Sequence, residues 1–236
     1  MMPSDESVTL ALSAVHATRA LRRTSGTPRN PRVLQWALDL VKQIPIDLGQ
    51  HAVAERTKGK QIAMGLVPPG EGRTALDAGC REGHQTRWLR RRGYNVTSID
   101  IEPLMPGAVI VDLMRPVPFA DGAFDLIWCS EVIEHLPNPA CAIAELRRVT
   151  RPGGDLIFTT PNSYALLFRL LALVGLTPQR IQRADHRQFF DEPAIRQLFP
   201  DAHVYGYFPY ALIKRTIRRG VGALSPTFVL HVKKAR

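Results

Sequence analysis

This 236-residue sequence predicts an α/β fold with a doubly wound, mostly parallel sheet of seven strands. Short apolar runs alternate with helical patterns from residue 74 to residue 160, the order that builds a parallel sheet covered on both faces. The run Thr74-Ala75-Leu76-Asp77-Ala78-Gly79-Cys80-Arg81-Glu82-Gly83 reads as a buried strand that ends in an acid and enters a glycine-flanked loop before a helix. A second strand, 95–100, ends in another acid, Asp100. A ligand crossing such a loop approaches the backbone closely, because glycine carries no side chain. The free N–H groups of the helix start can meet the ligand's polar end.

The elements follow in order. An amphipathic helix is expected over 6–23, then a loop rich in Thr, Ser, Gly and Pro. Pro31 suits a helix start, and Val33, Trp36, Ala37, Leu40 and Ile44 follow at helical spacing. A third helix, 54–66, precedes the Pro68-Pro69-Gly70 break. The core then reads as strand 74–79, helix 84–92, strands 95–100, 108–112 and 124–129, helix 139–150 and strand 155–160. Only residues 101–107 join the second and third strands, too few for a crossover helix. Beyond residue 162 the segment 164–176 is apolar apart from Arg169, so it is either buried or covers a greasy pocket. A short helix at 192–199 and a closing strand pair, 203–208 with 228–234, complete the chain. We read 1–55 as a helical extension and 56–236 as the main domain, with a substrate-covering insert over about 162–190.

No apolar run approaches the roughly 18 residues that span a bilayer. Asp5 and Glu6 stand where a secretory signal would be basic, and three cysteines give no disulfide framework, so a cytoplasmic setting is expected. Thirty-one Lys/Arg against 21 Asp/Glu make the chain +10. Twelve of those basic residues, against four acidic ones, fall in 162–236. That basic C-terminal third suits an anionic substrate, nucleic acid or peripheral contact with a membrane surface, or is simply a solvated face.

Which cofactor the loop takes follows from its glycines. A dinucleotide loop wants G-x-G-x-x-G, whereas Gly79 and Gly83 are spaced G-x-x-x-G after Asp77. Three further segments accompany the loop: Pro118 to Ile127, Ser130-Glu131-Val132-Ile133-Glu134-His135-Leu136, and Leu146 to Gly154 followed by a strand and Thr160-Pro161-Asn162. Together these four segments, over roughly 56–162, resemble the class I S-adenosylmethionine-dependent methyltransferases. The resemblance implies that family's Rossmann-like sheet and S-adenosylmethionine as the donor. It makes Asp77 a holder of the methionine part, with Ala78, Gly79, Cys80, Arg81 and Gly83 wrapping it. Asp100, with Ile101 beside it, matches the acid that pairs with the ribose diol. Asp112 and Leu113 match the adenine-contacting position, and Cys129 and Ser130 end the fourth strand beside the sulfonium. Arg81 departs from the family's usual middle glycine, and the short 101–107 link departs from its usual helix. Arg81 sets a long cation beside a cationic sulfonium, and the short link alters the rim of the adenine pocket; for each aspartate the alternative is a strand-end or capping role.

Glu131, Glu134 and His135 stand at i, i+3 and i+4, one face if this segment is helical. With His186 in Asp185-His186-Arg187-Gln188-Phe189-Phe190, the pattern is similar to two metal-binding groups, the small-RNA 3′-terminal 2′-O-methyltransferases and the ubiquinone-pathway O-methyltransferases. The resemblance implies Glu131, Glu134, His135 and His186 as ligands of a divalent ion such as Mg²⁺, which would acidify a chelated hydroxyl. Metal-free relatives share the E-H-L tripeptide. Without metal, catalysis falls to Glu134 and to His135 or His186, an imidazole titrating near working pH.

The expected activity is methyl transfer to a hydroxyl of a small-molecule, lipid-like or glycan-like acceptor, with 164–176, 214–219, Tyr207 and Tyr210 on the acceptor side. RNA 2′-O-methylation is the rival within the enzyme class, though no aromatic–basic interleaving marks a single-strand track. A membrane- or protein-interaction module that keeps the fold without turnover is the rival outside it.

Overall fold

The computed structural model describes residues 57–182, 185–208 and 214–236. The helices expected over 6–23 and 31–44, and Tyr210, lie outside the described residues. The sheet has eight strands in place of the expected seven. They are β1 (Thr74–Ala78), β2 (Asn95–Asp100), β3 (Val109–Ile110), β4 (Phe124–Ser130), β5 (Thr150–Pro161), β6 (His203–Phe208), β7 (Arg215–Ile217) and β8 (Thr227–Lys233). Their spatial order is β3-β2-β1-β4-β5-β8-β6-β7. The first five run parallel, and β8 runs antiparallel to both β5 and β6. The additional strand is β7, read from sequence as a basic connection; it pairs with β6 along Gly206–Phe208.

The helices are α1 (Lys58–Leu66), α2 (His84–Arg91), α3 (Pro139–Val149), α4 (Leu166–Leu173), α5 (Pro178–Ile181), α6 (Glu192–Leu198) and α7 (Val221–Leu224). Local chemistry explains their limits. Thr57 caps α1 by accepting from the Lys60 N–H at 3.3 Å, and the Pro68-Pro69 pair ends the segment. Pro139 opens α3 behind the Asn138 cap, and Ala142, Ile143, Leu146 and Val149 form the stripe it buries. Arg90 and Arg91 sit in the last turn of α2, where the helix dipole favours cations.

Helices cover both faces, as a parallel sheet requires. On one face Ile62 and Ala63 of α1 and Leu89 of α2 pack with Leu126, Trp128, Ile157, Tyr205 and Val229. On the other, α3 packs with Leu76, Ile127, Phe158 and Phe228, joined by Ile195 of α6 and Val221 of α7. Consequently β4 is buried along nearly its whole length. The short link between β2 and β3 carries no helix, as expected, and β3 is only two residues long.

Two readings narrow. Of the alternatives for segment 164–176, burial on all sides does not hold: Phe168 packs inward, but Leu166, Leu170, Leu173 and Val174 are exposed. Tyr207 is completely buried among the α1-side core, so it is no surface residue of an acceptor site. Among the described residues, no helix is long and apolar enough to cross a membrane.

Candidate active site

The order β2-β1-β4-β5 reverses the winding direction between β1 and β4, and a crevice opens at the carboxyl ends of such strands. Asp77 and Ala78 end β1, Asp100 ends β2, and Cys129 and Ser130 end β4. The sheet therefore gathers at one rim what the sequence spreads over more than fifty residues.

Asp77 is 1 % exposed and accepts from Thr86 Oγ1 at 2.5 Å; that hydroxyl lies 2.8 Å from Ser98 Oγ. Burial pushes its carboxyl up to about 6, with the Thr86 hydrogen bonds opposing the shift and the Asp100 charge adding to it. After Ala78 the backbone turns through Gly79 (φ +82°) and Gly83 (φ +73°). A Cβ at Gly79 would stand 2.2 Å from Val132 Cγ2, and one at Gly83 would stand 2.0 Å from Met105 Sδ. Gly79 is thus needed for close packing as well as for its dihedral, whereas at Gly83 the flexible Met105 side chain could give way and the dihedral is the constraint. Arg81 between them adopts φ +40°, the left-handed region where glycine is cheaper. Its guanidinium pairs with exposed Glu82, 3.2 Å away.

Asp100 Oδ2 accepts from the Arg81 N–H and Oδ1 from the Glu102 N–H, each at 2.9 Å. The carboxylate holds the loop and still has lone pairs for a diol, since each oxygen offers two. Ile101, Leu104 and Ile110 stand exposed at the same rim, an apolar surface suited to a flat heteroaromatic ring. Asp112 Oδ1 caps a turn by accepting from the Met114 N–H at 2.8 Å, while Leu113 is packed into the core. Cys80 and Cys129 are buried, and burial with the neighbouring carboxylates pushes the Cys80 thiol up to about 12. Ser130 Oγ lies 2.7 Å from Thr159 Oγ1.

Beyond Ser130 the structure corrects the sequence. No helix begins there; Ile133–His135 form a single 3₁₀ turn, and Glu131 before it has φ +58°. The i, i+3, i+4 face therefore does not exist. Glu131 Oε1 accepts from Thr159 Oγ1 at 2.8 Å, and Glu131 is not in the group whose ligand atoms converge. That group is Glu134, His135 and His186, all within 4.8 Å of one another.

Tertiary contacts build this cluster. The Glu134 carbonyl accepts the N–H groups of Arg187 and Gln188, both at 2.9 Å, which brings the His186 segment alongside. The His135 and His186 rings meet edge to face, 4.9 Å between centroids. His135 Nδ1 lies 3.2 Å from the Asp185 carbonyl. Glu134 is 1 % exposed; Oε2 accepts from Thr160 Oγ1 at 3.0 Å, and Oε1 has no hydrogen-bond partner among the described residues. Burial first, and the Glu131 charge second, hold its carboxyl well above the usual carboxylate range.

Sequence reasoning missed Thr86 and Thr159, and quoted Thr160 only within a motif. Hydroxyls carry no spacing signal. Asn162, quoted in the Thr160-Pro161-Asn162 segment, is structural: its Nδ2 donates to the carbonyls of Gly222 and Ser225, at 2.8 and 2.7 Å.

The profile of the family described as "Methyltransferase domain" matches residues 51–203. The malonyl-[acyl-carrier protein] O-methyltransferase of Serratia marcescens is 38% identical over 120 residues, 47% of this chain and 45% of that protein. The ubiquinone biosynthesis O-methyltransferase of Hahella chejuensis is 37% identical over 118 residues, 44% of this chain and 49% of that protein. The chain spans about half the length of these curated relatives. The crystal structure of a SAM dependent methyltransferase from Archaeoglobus fulgidus aligns with a TM-score of 0.55 at 15% identity, over 76% of this chain and 96% of that one. That likeness is one of fold.

Proposed function

The chain belongs to the S-adenosylmethionine-dependent methyltransferase family, and from that premise we propose that it transfers a methyl group to a hydroxyl of a small or lipid-like acceptor. The observation that carries the donor site is the convergence of Asp77, the Gly79–Gly83 loop and Asp100 at one sheet rim. The residues present fit the donor's chemistry. A buried carboxylate suits an ammonium, and a rim carboxylate with spare lone pairs suits a diol. When bound, the donor supplies an electrophilic methyl group, so the protein has to align the acceptor and take its proton.

His135 is the group we assign to that proton. The Asp185 carbonyl can only accept, so a hydrogen bond to His135 Nδ1 places the hydrogen there and leaves Nε2 as the base. His186 packs on the ring and Glu134 lies behind, so the imidazole is held in orientation. On α4, Leu166, Leu170, Leu173 and Val174 present an apolar stripe that favours a lipid-like acceptor. Arg169, Arg215, Arg218 and Arg219 are exposed and favour an anionic surface or acceptor.

A second reading rests on the 4.8 Å grouping of Glu134, His135 and His186. These three residues would hold a divalent cation, which would acidify the acceptor hydroxyl. An acceptor screen with radiolabelled donor across quinols, lipids, sugars and RNA, run with and without chelator, tests both. Turnover on a quinol or lipid that survives chelation supports the His135 base. Turnover lost to chelator and restored by Mg²⁺ supports the cation. No labelled product from any class, with donor bound, would leave the module without turnover as the better account.

A further inference from the structure

α4 turns an apolar stripe to solvent. Leu166, Leu170, Leu173 and Val174 fall at i, i+4, i+7 and i+8, one side of a helix. All four are exposed, Leu173 at 82 %. The side that packs is the opposite one, through buried Phe168. A surface helix of a globular domain ordinarily buries such a stripe.

The charge around the stripe has one sign. Residues 163–182 contain Arg169 and Arg180 and no Asp or Glu. Arg169 is exposed within a turn of Leu166 and Leu173. Arg180 Nη1 donates to the Gly175 carbonyl at 2.9 Å, which holds its exposed guanidinium at the carboxyl end of α4. α4 also packs on α7, the helix that follows exposed Arg218 and Arg219. The four acids of 162–236 are engaged elsewhere. Asp185 lies 3.6 Å from His135, Asp191 caps α6, Glu192 takes the Gly222 N–H and Arg196, and Asp201 pairs with Arg147.

The same insert is tied to the catalytic cluster. Ser163 Oγ, before α4, donates to Gln182 Oε1, beyond α5, at 2.9 Å. That oxygen lies 3.5 Å from Nδ1 of His186, which groups with Glu134 and His135. The stripe is therefore carried on an insert anchored beside the cluster.

We infer that α4 is a docking helix for an anionic bilayer surface. It lies in the plane of the interface, its four apolar side chains entering the boundary between headgroups and acyl chains while the arginines meet the anionic headgroups. Nucleic acid offers the charge but no apolar phase for the leucines, and a second copy, itself +10, offers the wrong charge. As the route by which a lipid-like acceptor reaches the site, the docking rests on the function proposed above. The contact itself is read without donor or turnover, so the two fail separately.

The test is co-sedimentation of the full chain with vesicles of phosphatidylcholine alone and of an equal mixture with phosphatidylglycerol. Wild type should bind the mixed vesicles, bind pure phosphatidylcholine far more weakly, and be released as salt rises. Leu173→Asp should cut binding to mixed vesicles about tenfold or more, through the lost apolar contact, yet melt as wild type does. Leu173→Phe should keep the binding, and Arg169→Gln should weaken it about fivefold. No binding to the mixed vesicles, whether or not the chain retains single-stranded RNA, would overturn the proposal. Binding that Leu173→Asp leaves unchanged would do the same. So would a dimer in solution that Leu173→Asp dissociates, which would make a second copy the occupant of the stripe.

Discussion

The N–H of Arg81 donates to Oδ2 of Asp100 at 2.9 Å, so the carboxylate that ends β2 also fastens the loop that follows β1. One side chain thus does two jobs, and substitution should report both. Asp100→Ala is expected to weaken S-adenosylmethionine binding by roughly 1–3 kcal/mol, through lost diol hydrogen bonds and a loosened loop. Asp100→Asn keeps one acceptor oxygen and should fall between. Calorimetry that finds Asp100→Ala unchanged removes Asp100 from the sugar site.

Asp77 should make donor affinity depend on pH. Its carboxyl in the donor-free protein titrates near 6, because burial disfavours the charge. Only the charged form attracts an ammonium, so affinity should decline as pH falls through about 6, and Asp77→Asn should abolish both the affinity and its slope. The folded pKa is raised above the unfolded 3.8. Its contribution to stability is therefore full below about pH 4 and lost as pH rises through about 6, on the order of 3 kcal/mol. Donor-free Asp77→Asn should accordingly melt higher than wild type at pH 8 and lose that advantage at pH 4. Equal melting temperatures at pH 8 would contradict a buried, charged carboxylate.

Arg81 sits at φ +40° and pairs with exposed Glu82, an ion pair that contributes little. Arg81→Gly relieves a left-handed residue costing about 1 kcal/mol and withdraws a cation from beside a sulfonium site. The expected result is an unchanged or slightly raised melting temperature with tighter donor binding. Weaker binding would mean that the guanidinium contacts the donor.

The three cysteines should separate by reactivity. Cys141 is exposed, whereas Cys80 and Cys129 are buried and burial pushes both thiols up. Mass spectrometry after mild alkylation at pH 8 should find Cys141 modified, with the other two labelled only after unfolding. Rapid labelling of Cys80 in the native protein would show the loop opening to solvent.

The parallel core was legible from residue patterns because strands and helices of this kind write their periods locally. The β1 and β2 runs, their terminal Asp77 and Asp100, and the glycine loop all stand where alternation placed them. Other features were not legible. The segment 130–136 carries helical spacing, but it must leave a buried strand end, turn on Glu131 at φ +58° and deliver Glu134 into the interior, so only a 3₁₀ turn fits.

What the linear chain determined alone is the sheet's parallel half and the acids at its rim, since side-chain period and glycine placement are properties of neighbours in sequence. Folding decided the rest. Glu134 and His186 meet because one carbonyl takes two distant N–H groups, and α1 lies over the sheet because it must bury its apolar stripe on that face. Contacts of this kind depend on how faces are covered, which no local pattern encodes.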